Sequence, residues 1–275
     1  MPFVDSNGVK IFYEVGGQGD PLVMVQGYGQ YSYMWSGLPN EFARLKHRVV
    51  LIDNRGTGQS DKPDAPVTIA QMADDVCKVM DAISLRRASV FGISMGGMIA
   101  QEFALNHGDR LINLVLGCTT PGGPNSIKPT PEGARILFDY DYLKNMTPEQ
   151  RSREVFGFFC SEEFIAGHPE ALKEYHEATM EYPTPLYTFA RQAEAIAKFD
   201  TWDRLEKIKA PTLIIAGTAD QIIPFKNSEL LAQRIPGAEL TLLQDKRHGF
   251  FIEAMDSTKI FINGFLMRHA GGFRS

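Results

Sequence analysis

Cysteine is scarce in this chain of 275 residues: there are 3, an odd number, at Cys77, Cys118 and Cys160. Their spacing fits neither a zinc site nor a disulfide framework. Cys77 falls in a helical pattern and Cys118 near a strand end, so both read as small buried residues. No apolar run approaches the length that crosses a bilayer, and Met1-Pro2-Phe3-Val4-Asp5 lacks the basic and apolar segments of a secretory signal. No membrane partner and a cytoplasmic location are therefore expected. Positive charge is also short. The 28 Lys and Arg against 33 Asp and Glu give a net charge of −5, and basic residues cluster only as pairs such as Arg86-Arg87, which argues against a nucleic-acid surface. A His-x-x-x-His pair, a phosphate-loop Gly-Lys-Ser/Thr and a helix-opening Gly-x-Gly-x-x-Gly are all missing, which disfavours zinc hydrolases and nucleotide-binding enzymes. Neither a metal nor an organic cofactor is expected. Internal repeats and low-complexity tracts are absent as well.

What is present is an alternation of short apolar runs with amphipathic stretches. Asn7-Gly8 reads as a hairpin turn between Phe3-Val4 and Lys10–Tyr13. Leu22–Gln26, Ala88–Phe91 and Pro211–Gly217 read as buried strands, and Arg48–Ile52, Leu111–Leu116 and Glu239–Leu243 as further strands of the sheet. Thr68 is a plausible N-cap for a helix whose apolar residues Ile69, Met72, Ala73, Val76, Val79, Met80 and Ile83 recur at helical spacing. This pattern predicts an α/β fold, with a mostly parallel central sheet and helices on both faces.

The rhythm breaks after Pro121-Gly122-Gly123-Pro124. Residues 125–200 hold helical patterns around Glu132–Tyr140, Glu149–Phe159, Glu170–Met180 and Leu186–Lys198, without a convincing strand. The expected organisation is a core of residues 1–124 and 201–275 interrupted by a helical cap at 125–200. That segment carries 12 aromatic residues, nearly twice the density elsewhere. Most of them are needed to pack a lid on the core; Phe138, Phe159 and Tyr187 are expected to line an apolar substrate pocket. With 13 acidic and 8 basic residues it also carries the net charge of the whole chain. The acidic excess reads as a solvated outer face, though Arg135 or Arg191 can receive one carboxylate.

Chemistry concentrates at Gly92-Ile93-Ser94-Met95-Gly96, between the strand Ala88–Phe91 and a helical run from Met98 to Leu105. A Gly-x-Ser-x-Gly at such a junction is a nucleophile elbow, whose sharp turn holds the serine hydroxyl clear of the backbone. The alternative is a glycine-rich turn that merely packs a helix against a sheet. A serine needs a base. Of His47, His107, His168, His176, His248 and His269, only His248 sits in a loop between a sheet strand and the C-terminal helix. Gly249 beside it leaves the imidazole room to swing. Asp220 follows the strand ending at Gly217, where open α/β sheets carry functional groups. It is expected to hold His248 in the useful tautomer, whereas Asp245, three residues before His248, reads as a surface turn residue. The order Ser94, Asp220, His248 is that of the α/β hydrolases. The amide of Met95, at a helix N-terminus, and the amide of Tyr28, in Gly27-Tyr28-Gly29-Gln30, are the expected oxyanion donors.

On these residues the chain resembles the α/β-hydrolase family of the capped, esterase-like kind, along nearly its whole length. Asp53-Asn54-Arg55-Gly56-Thr57-Gly58-Gln59-Ser60 is similar to the family's Asp-x-Arg-Gly-x-Gly-x-Ser loop; Asp53 and Arg55 are expected to tie backbone there. One departure is Gln26-Gly27, where the family usually has His-Gly, and it places Gln26 at the edge of the expected pocket. Ser94 at the elbow separates the chain from haloalkane dehalogenases and soluble epoxide hydrolases, which carry Asp. The resemblance implies a serine hydrolase acting on a small-molecule ester or lactone. It also leaves open a carbon–carbon bond hydrolase, a cofactor-free perhydrolase, or a ligand receptor with slow hydrolysis.

Overall fold

The structure, a computed structural model, describes residues 2–270. Its sheet has eight strands: β1 (Phe3–Ser6), β2 (Val9–Gly17), β3 (Asp20–Val25), β4 (His47–Ile52), β5 (Ala88–Ile93), β6 (Leu111–Gly117), β7 (Thr212–Gly217) and β8 (Glu239–Leu243). They lie in the order β1-β2-β4-β3-β5-β6-β7-β8. β2 runs antiparallel to β1 and β4, and every pairing from β4 to β8 is parallel. The hairpin turns at Asn7 and Gly8, both at positive φ (55° and 81°), as a tight turn between twisted strands requires. β2 is longer than its apolar run, because Val15, Gly16 and Gly17 continue the ladder against Val50, Val49 and Arg48.

Continuous apolar runs become central strands here because both sheet faces are covered. Leu22 and Met24 point into one core with Phe91, Val115 and Leu213; Val23 and Val25 point into the other with Val90, Leu114 and Ile214. The first face is closed by α1 (Leu38–Arg44) and the C-terminal helix, through Leu38, Phe42, Ile262 and Phe265. The second is closed by α2 (Ile69–Ala82) and α3 (Met95–Asn106), through Met72, Val76, Val79, Ile99 and Phe103. Thr68 caps α2, its side chain accepting from the Gln71 amide.

Between β6 and β7 the chain makes six α-helices: α4 (Pro131–Phe138), α5 (Tyr140–Lys144), α6 (Pro148–Phe159), α7 (Glu162–Gly167), α8 (Pro169–Glu181) and α9 (Leu186–Lys198), followed by the 3-10 helix Trp202–Lys207. α5 and α7 are too short to show a period and escaped the sequence reading. Their starts are capped by Asp139 and Ser161. After β7 come α10 (Lys226–Arg234), α11 (Phe250–Glu253) and α12 (Met255–Arg268).

The strand order reverses at β3, whose neighbours β4 and β5 lie on opposite sides, so the loops after β3 and β5 diverge and open a crevice at their carboxyl ends. The loop at Asp53–Ser60 braces this end. Asp53 accepts from the Ser32 and Gln59 amides, both at 2.8 Å. Arg55 does not tie backbone through its side chain as expected. Its guanidinium instead forms a two-pronged pair with Asp75 on α2, at 2.7 and 2.6 Å, with both side chains buried. Asp75→Ala strands that guanidinium, and urea unfolding is expected to show a loss of about 3–5 kcal/mol.

Candidate active site

β5 runs into α3 with a single residue between them, so the whole reversal falls on Ser94. Its backbone sits at φ 55° and ψ −124°, a conformation that L-residues rarely adopt and that costs about 1–3 kcal/mol. The flanking glycines have a steric reason. A Cβ at Gly92 stands 2.1 Å from the Gly96 carbonyl oxygen, and one at Gly96 stands 2.1 Å from that of Val25. Two bonds fix the turn: the Ser94 amide donates to Gly117 O at 2.9 Å, and Thr119 Oγ1 donates to Ser94 O at 2.7 Å.

Asp220 lies past the end of β7 and His248 past the end of β8, and the fold brings them together. His248 Nδ1 is 2.7 Å from Asp220 Oδ2, with the two side chains 4 % and 0 % exposed. An ionised carboxylate only accepts, so Nδ1 carries the proton and Nε2 is left as the basic nitrogen. The other carboxylate oxygen is equally constrained, accepting from the amides of Ile222 and Ile223 at 2.8 and 2.9 Å. Burial by itself pushes the His248 pKa down, but its neighbours, the Asp220 carboxylate first among them, together push it up, and the net direction is above 6.5. Cys118 Sγ stands 4.0 Å from Nε2, and burial pushes its thiol pKa up, so it faces the ring as a neutral group. Ligand atoms of Cys118, Asp220 and His248 lie within 4.8 Å of one another. Yet the carboxylate and the sulfur address opposite ring nitrogens, and the histidine stands between them rather than beside them.

Asp245 is exposed at φ 58°, with its amide on Thr218 Oγ1, so it is the turn residue the sequence suggested. The other five histidines hold structural contacts away from the cavity. His47 pairs with Asn263, His107 with Asp74, and His269 with Glu239; His176 bonds Ser152, and His168 bonds the Phe164 carbonyl.

Ser94 and His248 line one apolar cavity with Gln26, Gly27 and Tyr28, enclosing about 460 Å³ of empty space including its open mouth. Phe159 reaches it from α6 and stacks on the His248 ring at 5.6 Å between centroids. Gly249 serves this approach rather than any swing of the imidazole, since a Cβ there stands 2.9 Å from Phe159 Cβ. Phe138 and Tyr187 are not brought to the cavity. Phe138 is 52 % exposed with its ring 6.3 Å from that of Tyr28, and the neighbouring Leu137 lines the cavity instead. Tyr187 turns outward and donates to Lys62 O at 2.9 Å.

In the loop after β3, the Gly27 amide donates to Gln26 Oε1, the Gly29 amide to Gln192 Oε1, and the Gln30 amide to Gly27 O. The Tyr28 amide has no such acceptor among the described residues, and Met95 opens α3 with a free first-turn amide.

A model of the alpha/beta hydrolase fold matches residues 20–254. The chain belongs to the alpha/beta hydrolase family. It is 28 % identical over 265 residues to the "Putative carbamate hydrolase RutD" of Azorhizobium caulinodans, covering 96 % of this chain and 98 % of that one. Among solved structures it is similar to Est816, described as an N-acyl homoserine lactone degrading enzyme. There the TM-score is 0.81 at 31 % identity, covering 96 % of this chain and 100 % of the other. The enol-lactonase of Burkholderia xenovorans LB400 gives a TM-score of 0.83 at 25 % identity, over 97 % and 100 %. These relatives are hydrolases. No helix among the described residues is long and apolar enough to cross a membrane.

Sequence reasoning missed Leu137, and Phe189 and Gln192 on α9. One signal for α9 was available. Its buried residues Thr188, Gln192 and Ala195 recur at helical spacing, and two of the three are polar. Polar side chains on the buried face of an amphipathic helix mark hydrogen bonds that a purely apolar contact does not need.

Proposed function

We propose that this chain hydrolyses a carboxylic ester or lactone through an acyl-enzyme on Ser94, with no metal or organic cofactor. The observation that carries this reading is the buried Asp220–His248 pair opening onto the same apolar cavity as a serine held in a strained elbow. In the proposed cycle, Nε2 of His248 takes the Ser94 proton as the hydroxyl attacks the substrate carbonyl. It then returns that proton to the leaving alkoxide. Asp220 keeps the proton on Nδ1 and stabilises the imidazolium. The amides of Tyr28 and Met95 receive the oxyanion, a contribution of about 3–4 kcal/mol for each donor in comparable sites. Water then attacks the acyl-enzyme by the same relay in reverse.

In this reading residues 125–200 are a cap whose inner residues choose the substrate, while the core performs acyl transfer in general. The apolar lining and the small enclosed space favour an uncharged ester or lactone with a compact acyl group. The lactone-cleaving relatives support lactones as well as open esters. A carbamate is the second reading, supported by the RutD relative, and it uses the same serine and oxyanion donors.

A p-nitrophenyl ester series is expected to give the highest kcat/KM at short acyl chains. Leu137→Ala is expected to move the optimum to longer chains by opening the cavity wall. Equal rates from short to very long chains, or an optimum that Leu137→Ala leaves in place, contradict the compact capped pocket. A parallel lactone and carbamate panel ranks the bond classes.

A further inference from the structure

We infer that Gln192 is a positioning residue for the oxyanion amide of Tyr28, so that helix α9 sets catalytic geometry as well as covering the site. The inference rests on the acyl-transfer reading above and deepens it.

Gly27–Gln30 is a β-turn closed by the Gln30 amide on Gly27 O at 3.2 Å. Its third residue, Gly29, sits at φ 67°, whereas Tyr28 is not in the positive-φ region, which defines a type II turn. Types I and II differ by a flip of the central peptide, the one that carries the Gly29 N–H. The Tyr28 N–H belongs to the preceding peptide, so such a flip leaves its direction nearly unchanged; its place beside Ser94 depends on how the turn as a whole is anchored. Whichever structure holds the Gly29 N–H therefore anchors the turn and, with it, the place of the Tyr28 amide beside Ser94.

Gln192 holds it. Its Oε1 accepts from the Gly29 amide at 2.8 Å, and its Nε2 donates to Arg55 O at 3.3 Å. The side chain is 1 % exposed, so both ends are committed and neither bond is exchanged for water. Arg55 is itself fixed by Asp75, which gives the clamp a rigid base. Two further contacts from the same insertion close on the turn: Thr184 Oγ1 donates to Gly29 O at 2.9 Å, and Tyr28 OH donates to Phe189 O at 3.1 Å. The Phe189 ring covers Gly29 so closely that a Cβ there stands 2.1 Å from it. On the other side, a Cβ at Gly27 stands 2.9 Å from Ser94 Cβ. The turn is thus held between Ser94 and α9, and among the described residues Gln192 supplies the acceptor for its buried central amide.

The test uses Gln192→Met, which keeps shape and removes both bonds, assayed with p-nitrophenyl acetate and with a trifluoromethyl ketone that forms a tetrahedral adduct on serine. The expected result is a fall in kcat of about 100-fold, the scale seen when one oxyanion donor is lost. KM should stay within about twofold, and ketone affinity should fall in step with kcat/KM. Thr184→Val is expected to lower kcat in the same sense by about fivefold. Asp64→Asn removes the exposed Arg191–Asp64 pair that ties α9 to the core elsewhere, and it is expected to leave kcat unchanged. A Gln192→Met enzyme with kcat within threefold of the parent overturns the inference. So does a loss shared equally by KM and kcat with ketone affinity unaltered relative to substrate. If Gln192→Met does not fold, an undiminished kcat in Thr184→Val overturns it. Ser94→Ala is run alongside: activity in that variant removes the acyl-enzyme reading itself, whereas an inert Ser94→Ala beside a fully active Gln192→Met removes only the role of Gln192.

Discussion

Ser94→Ala is expected to lower kcat for p-nitrophenyl esters by about 10⁶-fold, leaving only what binding and the oxyanion amides supply. The effect is large because, in the proposed cycle, each later step depends on the bond that Ser94 forms. A serine-directed phosphonate is expected to label the parent enzyme once, at Ser94, and to leave the variant unlabelled. The fold is expected to survive, since the elbow is held by backbone bonds to Gly117 and from Thr119 that do not involve the Ser94 hydroxyl. Intact-protein mass spectrometry with peptide mapping reads the outcome. A label on another serine, or full turnover in the variant, sinks the nucleophile assignment.

The second large effect belongs to the Asp220–His248 pair. His248→Ala removes the proposed base and later acid together, and a loss of about 10⁵- to 10⁶-fold in kcat is expected. Asp220→Asn is expected to lose about 10⁴-fold, for a reason visible in the site. The Ile222 and Ile223 amides require an oxygen at Oδ1, so the asparagine must turn its NH₂ toward Nδ1. That forces the ring proton onto Nε2, where it blocks proton uptake from Ser94. Asp245→Asn, at an exposed turn, is expected to change kcat by less than threefold. A larger loss in Asp245→Asn than in Asp220→Asn would reverse the acid assignment.

The raised pKa of His248 adds a pH signature. The base must be neutral, so kcat/KM is expected to fall as pH drops through a value above 6.5. Removing the Asp220 charge lifts the upward push, and the residual activity of Asp220→Asn should lose its acid limb at lower pH than the parent. Stability follows the opposite sign. The charged pair favours the folded state fully below 6.5, and this contribution fades as pH rises through the folded-state value. A parent acid limb below 6.5, or one unmoved in Asp220→Asn, counts against the pairing.

Much of this was legible in the chain because it is local. The elbow needs a glycine two residues before the serine and another two after it, since a Cβ at either place strikes backbone. Asp220 and His248 follow apolar strands by a few residues, and strands β7 and β8 pair in register, so their trailing loops must meet. The cavity lining was not legible, because it depends on how the inserted helices rotate onto the core. On a helix, successive side chains are turned by about 100°, so one position decides between facing the cavity and facing solvent. Leu137 faces in, and Phe138 faces out.

By itself, then, the sequence determined the sheet, the serine elbow and the chain order of the proposed acid and base, all of which follow from local periodicity, turn sterics and the ends of strands. Only the tertiary structure decided that Asp220 Oδ1 is held by two amides and that Phe159 rather than Tyr187 meets the histidine. It also decided that Gln192, distant in sequence, grips the turn beside Ser94. These contacts join segments separated by many residues. Their geometry is set by the docking of rigid helices on the core, which no short stretch of sequence encodes.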